Sequence, residues 1–98
     1  MSRPVTFKFR LYVAGNTPNS LKALANLKAL CRTHLPEQHE IEIVDVFREP
    51  NRALTERILM TPTLVKLSPA PVCTIVGTLS RTESVLQTLG LELPTVAA

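Results

Sequence analysis

Apolar and polar side chains alternate along the first segment of the chain. Side chains of an extended strand point by turns to its two faces, and within residues 5–13 every second residue is apolar. The apolar members are Val5, Phe7, Phe9, Leu11 and Val13. This period of two predicts a first strand that buries those five side chains.

From residue 19 to about residue 34 the period becomes that of a helix. Apolar residues recur at three- and four-residue spacing: Leu21, Leu24, Leu27, Leu30 and Cys31. Such spacing places them on one buried face. Thr17 can cap this helix, Pro18 fits its first position, and Pro36 lies beyond its end.

The segment that follows predicts a second strand and a second helix. Residues 40–47 favour a buried strand because they are rich in β-branched side chains. These side chains include Ile41, Ile43 and Val46. Pro50 or Asn51 can then open a helix over residues 52–60, and the sequence around Pro62 stops it.

The last third of the chain predicts a hairpin and a closing helix. The predicted elements are short strands at 63–67 and 72–76, a turn at 69–71 and a helix at 81–89. Ser80 can cap the helix and Gly90 can end it. The tail, residues 92–98, is expected to be weakly ordered.

The predicted order is β-α-β-α-β-β-α, which is that of a thioredoxin fold. Its first three elements form a βαβ unit, which implies a parallel strand pair and a right-handed crossover. We therefore expect a single α/β domain over residues 1–98, with its core in residues 5–91.

Composition narrows the class of protein. The 98 residues are 45% hydrophobic and carry a net charge of +3, and no apolar run reaches the length of about 20 residues that spans a bilayer. We expect a soluble cytoplasmic protein. Residues 1–36 carry all of the excess positive charge, but no nucleic-acid motif accompanies it, so we predict no nucleic-acid or membrane partner.

The place where a thioredoxin-like enzyme carries its nucleophilic thiol has no cysteine here. That place, residues 15–20, contains Asn16, Thr17, Asn19 and Ser20. These polar residues could bind an anion at the helix start, although a turn with redundant caps explains them more simply. Cys31 and Cys73 lie elsewhere, and His34 with His39 is too small a set for zinc. We therefore predict no enzyme and no cofactor.

Several motifs, read together, are similar to those of one known family. The longest is residues 11–20, from Leu11 to Ser20. The others are Val44-Asp45-Val46 with Pro50, Ile58-Leu59 before Thr61-Pro62-Thr63-Leu64, and Pro71-Val72, Ile75, Gly77 and Leu79-Ser80. From residue 6 to 91 the chain thus resembles the KaiB family of circadian clock proteins. Met60 to Leu64 also resembles the cis-proline segment of thioredoxin-like proteins.

The resemblance implies a function that no pattern in the chain shows by itself. KaiB proteins bind the hexameric clock ATPase KaiC, draw in KaiA, and displace a histidine kinase whose sensor domain is thioredoxin-like. They are also metamorphic: a dimeric or tetrameric ground-state fold and a thioredoxin-like monomer share the first half and differ in the second. The ground-state fold is therefore an alternative for this chain.

Site residues follow from the same resemblance. Basic positions that resemble the binding and assembly surfaces of the family are Lys22, Arg57 and Lys66, and Glu42 stands where a lysine near the KaiA-contacting surface is usual. Residues in the region implied to switch fold are Pro62, Pro69, Pro71, Thr88 and Gly90. Cys73 and Thr74 replace two usual arginines, and Thr78 replaces a usual aspartate. These departures leave open a diverged adaptor in stress or redox signalling, with a different partner.

Overall fold

The computed structural model describes residues 5–91 of the chain, and these residues form four strands and three helices. The elements are β1 (Phe7–Val13), α1 (Pro18–His34), β2 (His39–Asp45), α2 (Pro50–Thr55), β3 (Thr63–Ser68), β4 (Cys73–Val76) and α3 (Thr82–Leu89). The predicted order of elements is confirmed. The prediction for the tail, residues 92–98, lies outside the described residues.

The strands form one sheet in the order β2-β1-β3-β4. β1 pairs in parallel with β2, and it pairs antiparallel with β3, which in turn pairs antiparallel with β4. The parallel pair of the βαβ unit is therefore confirmed. β2 and β4 are the two edges of the sheet.

The two faces of the sheet differ in what covers them. Residues opposite each other in a ladder share a face, so Leu11, Leu64 and Ile75 lie together on one side. This core face packs against α1 and α3 in a single apolar cluster. The outer face carries the alternate side chains, and Arg52 of α2 reaches Glu42 on that face.

Some apolar residues do not lie where the periodic pattern places them. Val5, Leu21 and Ile43 are exposed, whereas Tyr12 is fully buried on the outer face. Val5 precedes the strand, which begins at Phe7, and Ile43 belongs to an edge strand with one neighbour. A pattern of alternating apolar and polar residues identifies one buried face of a strand, so it does not predict residues that are buried on the other face.

The second helix is shorter than predicted because a capping motif ends it at Thr55. Arg57 has a φ of 57°, and its amide donates to the Leu54 carbonyl at 3.1 Å. The Ile58 amide donates to the Ala53 carbonyl at 2.8 Å. These two bonds form the pattern that commonly ends a helix at a left-handed glycine. Arginine fills that position here, so no glycine marks the end.

Of the three caps predicted for α1 and α3, two are correct in position, but the residue that precedes α3 is Arg81 and not Ser80. Thr17 precedes α1 and Gly90 caps α3 with a φ of 79°, as expected. Neither helix has a side-chain cap at its start, however. The Thr17 hydroxyl donates to Ser20 Oγ at 2.9 Å, and Ser80 Oγ shares a hydrogen bond with Thr78 Oγ1 at 2.6 Å.

Three proline peptide bonds are cis in this structure. They precede Pro62, Pro69 and Pro71. The resemblance of the segment around Pro62 to a cis-proline segment is thereby confirmed. In residues 5–91, no helix has the length and apolar character that crossing a membrane requires.

Candidate interaction surfaces

The turn between β1 and α1 is held by hydrogen bonds within the chain. Asp45 Oδ1 accepts the Gly15 amide at 3.2 Å and the Phe47 amide at 2.9 Å. Ser20 Oγ, which is buried, accepts the Ala14 amide at 3.1 Å. Polar groups of this segment are thus engaged in fastening the turn to the end of β2. The turn of the simpler interpretation is therefore present, but the redundant capping is not, because α1 has no side-chain cap.

Neither cysteine has the surroundings of a catalytic thiol. Burial raises the pKa of the Cys31 thiol from 9.0 to about 11, and the residue lies near the end of α1, away from its positive N-terminus. Cys73 lies on β4, where its Sγ–H donates to the Thr88 carbonyl at 3.5 Å. Neither residue lies at the turn between β1 and α1, where a thioredoxin-like enzyme carries its thiol.

We expect Cys31 to resist alkylation in the folded protein. At pH 8 its thiol is both inaccessible and protonated, so iodoacetamide should modify Cys73 first and Cys31 only after denaturation. Peptide mass spectrometry of native and urea-treated samples measures this. Rapid modification of Cys31 in the native protein would show that α1 opens readily. A Cys73→Ser variant serves as the control that isolates Cys31.

Histidines do not form a metal site in this fold. Among the described residues, no three or more His, Cys, Asp or Glu side chains lie together as metal ligands. His39 Nδ1 lies 2.7 Å from the Leu35 carbonyl and so ties the start of β2 to the end of α1. That bond gives His39 a structural role.

Glu42 lies at the centre of an ion-pair network on the outer face. Arg10 Nε donates to Glu42 Oε1 at 2.7 Å. Arg52 donates to both carboxylate oxygens, at 3.0 and 3.2 Å, and also contacts Glu49 at 3.4 Å. Arg10 faces Glu42 across the parallel β1–β2 ladder. The network therefore joins two strands to α2.

Two guanidinium groups change the titration of Glu42. The hydrogen bonds from Arg52 and then Arg10 lower the pKa of Glu42 from 4.5 to about 2. In return, the hydrogen bonds to Glu42 raise the pKa values of Arg10 and Arg52. Glu42 is half exposed, so solvent screens the network and its contribution to stability is modest.

Acid should remove the stabilisation that this network gives. As the pH falls, the unfolded chain binds a proton at Glu42 before the folded chain does, so stability is lost between about pH 4.5 and pH 2 and is complete above that range. Urea unfolding of the protein and of Glu42→Gln should differ at pH 7 and converge near pH 2. A difference that persists unchanged at pH 2 would contradict the pairing.

Charge reversal tests the geometry of the same network at neutral pH. Glu42→Lys places a third cation between Arg10 and Arg52, and we expect a loss of about 1 kcal/mol of unfolding free energy. Arg52→Glu in the same chain should restore most of that loss, because it re-forms a pair of opposite charges. Absence of rescue in the double variant would show that Arg52 does not reach residue 42.

Lys66 lies inside the protein rather than on a surface. It is 3% exposed, on the core face of β3. Its Nζ donates to the carbonyl of Leu89 at 3.1 Å and lies 5.6 Å from the centre of the Phe7 ring. Leu89 is the last residue of α3, where carbonyl dipoles favour a positive charge. In this fold Lys66 therefore fastens α3 to the sheet.

The other basic positions lie on opposite sides of the sheet. Lys22 is exposed on α1, which covers the core face. Arg57 is exposed beside the outer face, at the rim of a groove that Val65, Thr74 and Val76 line. The structure thus brings Glu42 to Arg10 and Arg52, but it does not gather Lys22, Arg57 and Lys66 into one surface.

Residues of the region implied to switch fold surround β3, β4 and the end of α3. Pro62 is buried before β3, and Pro69 and Pro71 lie in the turn between β3 and β4. The Thr88 hydroxyl donates to the Ser84 carbonyl at 2.9 Å, and Gly90 follows α3 with positive φ.

Sequence reasoning missed two surface features. The Arg10–Glu42–Arg52 network could have been found only with the β1–β2 register, because its members are distant in the chain. The second feature is a group of exposed apolar side chains at α2 and beyond: Leu54, Leu59, Met60, Val72 and Val76. The sequence feature that could have predicted this group is the segment between residues 58 and 80, which is nearly free of charge.

Comparison with known proteins gives a family. A family model described as the KaiB domain matches residues 10–91. The "Circadian clock protein KaiB3" of Synechocystis sp. is 45% identical over 84 residues, which cover 86% of this chain and 80% of the relative. The "Circadian clock oscillator protein KaiB" of Synechococcus elongatus is 44% identical over 93 residues, covering 95% and 89%.

Solved structures agree with the predicted fold. The N-terminal domain of SasA from Synechococcus elongatus is similar with a TM-score of 0.73 at 18% identity, over 99% of this chain and 94% of that one. Chloroplastic thioredoxin z is similar with a TM-score of 0.72 at 18% identity, over 87% and 76%. These likenesses establish a thioredoxin-like fold and nothing beyond it.

Proposed function

The chain belongs to the KaiB family, and on that basis we propose that it is a non-enzymatic cytoplasmic regulator that binds a KaiC-type clock ATPase and modulates its phosphorylation cycle. The observation that carries this proposal is the family match over residues 10–91. The names of the relatives, circadian clock proteins of cyanobacteria, supply the clock role. The turn without a thiol after β1 fits a binding protein on a redox-enzyme fold.

Exposed charge supplies the candidate contacts with the ATPase. Arg57 and Lys22 are free to meet an acidic partner, and their opposite locations imply that a single flat interface uses one of them. Arg57 is the better candidate, because it stands beside exposed apolar side chains of the outer face and an interface combines such a patch with a polar rim. Lys66 acts from inside the protein, by holding α3.

Two further partners belong to the same proposal. The likeness to the SasA N-terminal domain supports competition between that kind of domain, as found in a histidine kinase, and this chain for one place on a shared partner. Recruitment of KaiA is the other. Glu42 is already paired with two arginines, so the surface around it presents less free charge than a lysine would, and we expect weak KaiA recruitment.

A second fold and a dimer or tetramer are part of the proposal as well. Support comes from the second half, where α2 is short and where two of the three non-glycine residues with positive φ in residues 5–91 lie, Arg57 and Leu79; the third, Glu37, lies in the first half. Such conformations cost free energy in residues other than glycine. A second fold of residues 50–91 therefore has to offset a smaller free-energy difference than it would if this structure were unstrained. The first half of the chain can remain unchanged.

Mixing the protein with the KaiC proteins of its own organism tests the binding. We expect a complex that forms over hours and approaches one copy per KaiC subunit, measured by size-exclusion chromatography with light scattering. Arg57→Gln should weaken it, whereas Arg81→Gln, at an exposed arginine of another segment, should not. No complex with any of these KaiC proteins, from a folded sample, would refute the proposal.

That refuting outcome would favour the second candidate, a diverged adaptor with another partner. Cys73, Thr74 and Glu42 favour it, because they stand where basic residues are usual in clock members. Such an adaptor keeps the fold but does not bind the ATPase. Affinity capture from a stress-treated lysate with the protein and with Arg57→Gln would then identify its partner.

A further inference from the structure

Two apolar side chains that the sequence pattern assigns to the core are exposed in the structure and lie side by side. Leu21 of α1 is 51% exposed and Ile43 of β2 is 46% exposed. Together with Leu24 they line a cavity of about 410 Å³ between the helix and the strand. β2 is an edge strand, with β1 as its one neighbour within residues 5–91. An exposed apolar patch of this kind commonly marks an interaction site.

Leu21 belongs to an exposed row along α1 that changes in character from one end to the other. Residues three and four positions apart lie on one side of a helix. Leu21, Ala25, Lys28 and Arg32 therefore form a single row, and all four are exposed. The row is apolar in its first half and basic in its second half. It spans about 16 Å, or three helical turns.

The basic half of this row borders a second cavity. Lys28 and Arg32 line it together with Ile41 of β2, and its volume is about 500 Å³. Ile41 and Ile43 both lie on the core face of the strand, opposite Phe9 and Leu11 in the β1–β2 ladder. The two cavities thus follow the same side of α1. We call the exposed row and these two cavities the α1–β2 groove.

The basic end of the α1–β2 groove carries positive charge that the chain does not neutralise. Among residues 5–91, neither Lys28 nor Arg32 forms an ion pair, and α1 has no acidic residue. Glu37 is the one carboxylate that lines the cavity at this end. Arg32 lies in the last turn of α1, where the helix dipole favours a cation, but Lys28 lies further from that end. Two cations and one carboxylate leave a site for a negatively charged group.

The apolar end of the groove has no such excess of positive charge. Arg48, Asp45 and Glu49 line the cavity there. Both carboxylates already make contacts within the chain, Asp45 with two backbone amides and Glu49 with Arg52. A partner that suits the whole groove is therefore acidic at one end and apolar at the other.

We propose that the α1–β2 groove binds an amphipathic helix of a partner protein, antiparallel to α1. Carboxylates in the first two turns of the partner helix meet Lys28 and Arg32. Apolar side chains in its later turns cover Leu21 and Ile43. In this direction the carboxylates also lie at the N-terminus of their own helix, where its dipole favours them. A helix laid in a groove by residues of one face is a recurring mode of recognition.

The charges of α1 exclude a second copy of this helix as the occupant. Two antiparallel copies would place Lys28 and Arg32 against Leu21 and Ala25, and α1 has no acidic residue to meet the cations. Glu42 and its two arginines lie on the outer face of the sheet, away from the groove. Binding in the groove therefore requires neither the clock ATPase nor the charges around Glu42.

Titration of a synthetic peptide into the ¹⁵N-labelled full chain, followed by NMR, tests the groove. The peptide is designed as a helix of about 16 residues, with Glu in its first two turns, Leu in its last two, and Ala and Gln elsewhere. We expect saturable shifts at amides of α1 and β2, with a dissociation constant on the order of 100 µM. A peptide with two central prolines, which break the helix, should not bind.

Charge reversal at the basic end is the sharper test. Lys28→Glu should weaken binding of the acidic peptide about fivefold or more. A peptide with Lys in place of Glu should bind the unchanged chain poorly and bind Lys28→Glu better. Lys22→Glu is the matched control, because it makes the same change of charge at an exposed lysine of the same helix outside the groove. It should alter the affinity by less than about twofold. Circular dichroism confirms that both variants fold.

Four outcomes would each overturn the proposal. They are the absence of saturable shifts at about 5 mM peptide, shifts that lie outside α1 and β2, equal weakening by Lys28→Glu and Lys22→Glu, and undiminished binding of the proline peptide. The first excludes binding of such a helix, and the second places it elsewhere. The third shows attraction by net charge alone, and the fourth shows that the peptide does not bind as a helix. Binding or failure to bind KaiC changes none of these readouts.

Discussion

Lys66→Glu is expected to lower the free energy of unfolding by about 4 kcal/mol or to prevent folding into this structure. The substitution replaces a buried ammonium with a carboxylate that faces the Leu89 carbonyl and the face of the Phe7 ring. Both neighbours repel a negative charge. Since a domain of this size has about 5–15 kcal/mol in total, the loss is large.

Lys66→Met separates the charge from the packing of the side-chain stem. Methionine keeps most of the apolar stem but leaves the Leu89 carbonyl without the lysine bond, so we expect a loss of about 1–2 kcal/mol. Lys28→Glu, at an exposed lysine of α1, should stay within about 0.5 kcal/mol. Urea unfolding followed by circular dichroism measures all three.

The two Lys66 variants also decide between an internal and a surface role. If Lys66 were a contact for a partner, Lys66→Met would abolish binding while Lys66→Glu would leave the fold stable. The buried position predicts the reverse. Lys66→Met should fold and retain binding to the ATPase, whereas Lys66→Glu should not fold stably. Equal stability of Lys66→Glu and the wild-type chain would show that this side chain leaves the interior.

Leu64→Ala should be the most damaging truncation among the leucines of β3. Leu64 is fully buried between Leu11 and Ile75, at the centre of the core face. Removing three carbons there leaves a cavity, which costs about 3 kcal/mol and should lower the melting temperature by roughly 15 °C. Calorimetry or thermal circular dichroism measures the shift.

Leu59→Ala is the matched control, with the same chemical change at a residue that is 92% exposed. It should change stability by less than about 0.5 kcal/mol. If instead Leu59→Ala destabilised the protein as much as Leu64→Ala, residue 59 would be covered in solution. Comparing the pair at low and at high protein concentration then separates folding from association.

The sequence predicted the elements of this fold better than their ends. β1 and α1 carry strong periods, and the position of every strand was found to within about two residues. α2 was predicted too long because its end depends on the positive φ of Arg57. A glycine at that position would have predicted the end of the helix, but an arginine does not. Backbone conformation at one residue is decided by packing around it, which no local pattern contains.

Burial was predicted less well than secondary structure. Tyr12 alternates with the predicted core residues of β1, which placed it on the other face, but it is fully buried there, as is Val44, which lies opposite it in the ladder. Ile43 looked like a core residue, but β2 became an edge. Both errors have one cause: which parts of the chain surround a strand is a long-range property that a local pattern does not contain.

The candidate contact residues show the same limit. Resemblance marked Lys66 and Glu42 as positions of interest, and both make contacts that matter for this structure. Their roles nevertheless depend on neighbours distant in the chain: Leu89 for Lys66, and Arg10 for Glu42. Charge alone could not show that one of these groups is buried and that the other is neutralised.

The central position of β1 has a consequence for how the protein emerges during synthesis. β1 needs β2 on one side and β3 on the other, and the 23 residues from Val46 to Ser68 must still be made after β2 before β3 is complete. At about 5–20 residues per second this takes one to several seconds, whereas helices and hairpins form in microseconds. The nascent βαβ unit must therefore persist for seconds with one edge of β1 open, which is the interval in which a chaperone, or a neighbouring nascent chain, can reach that strand.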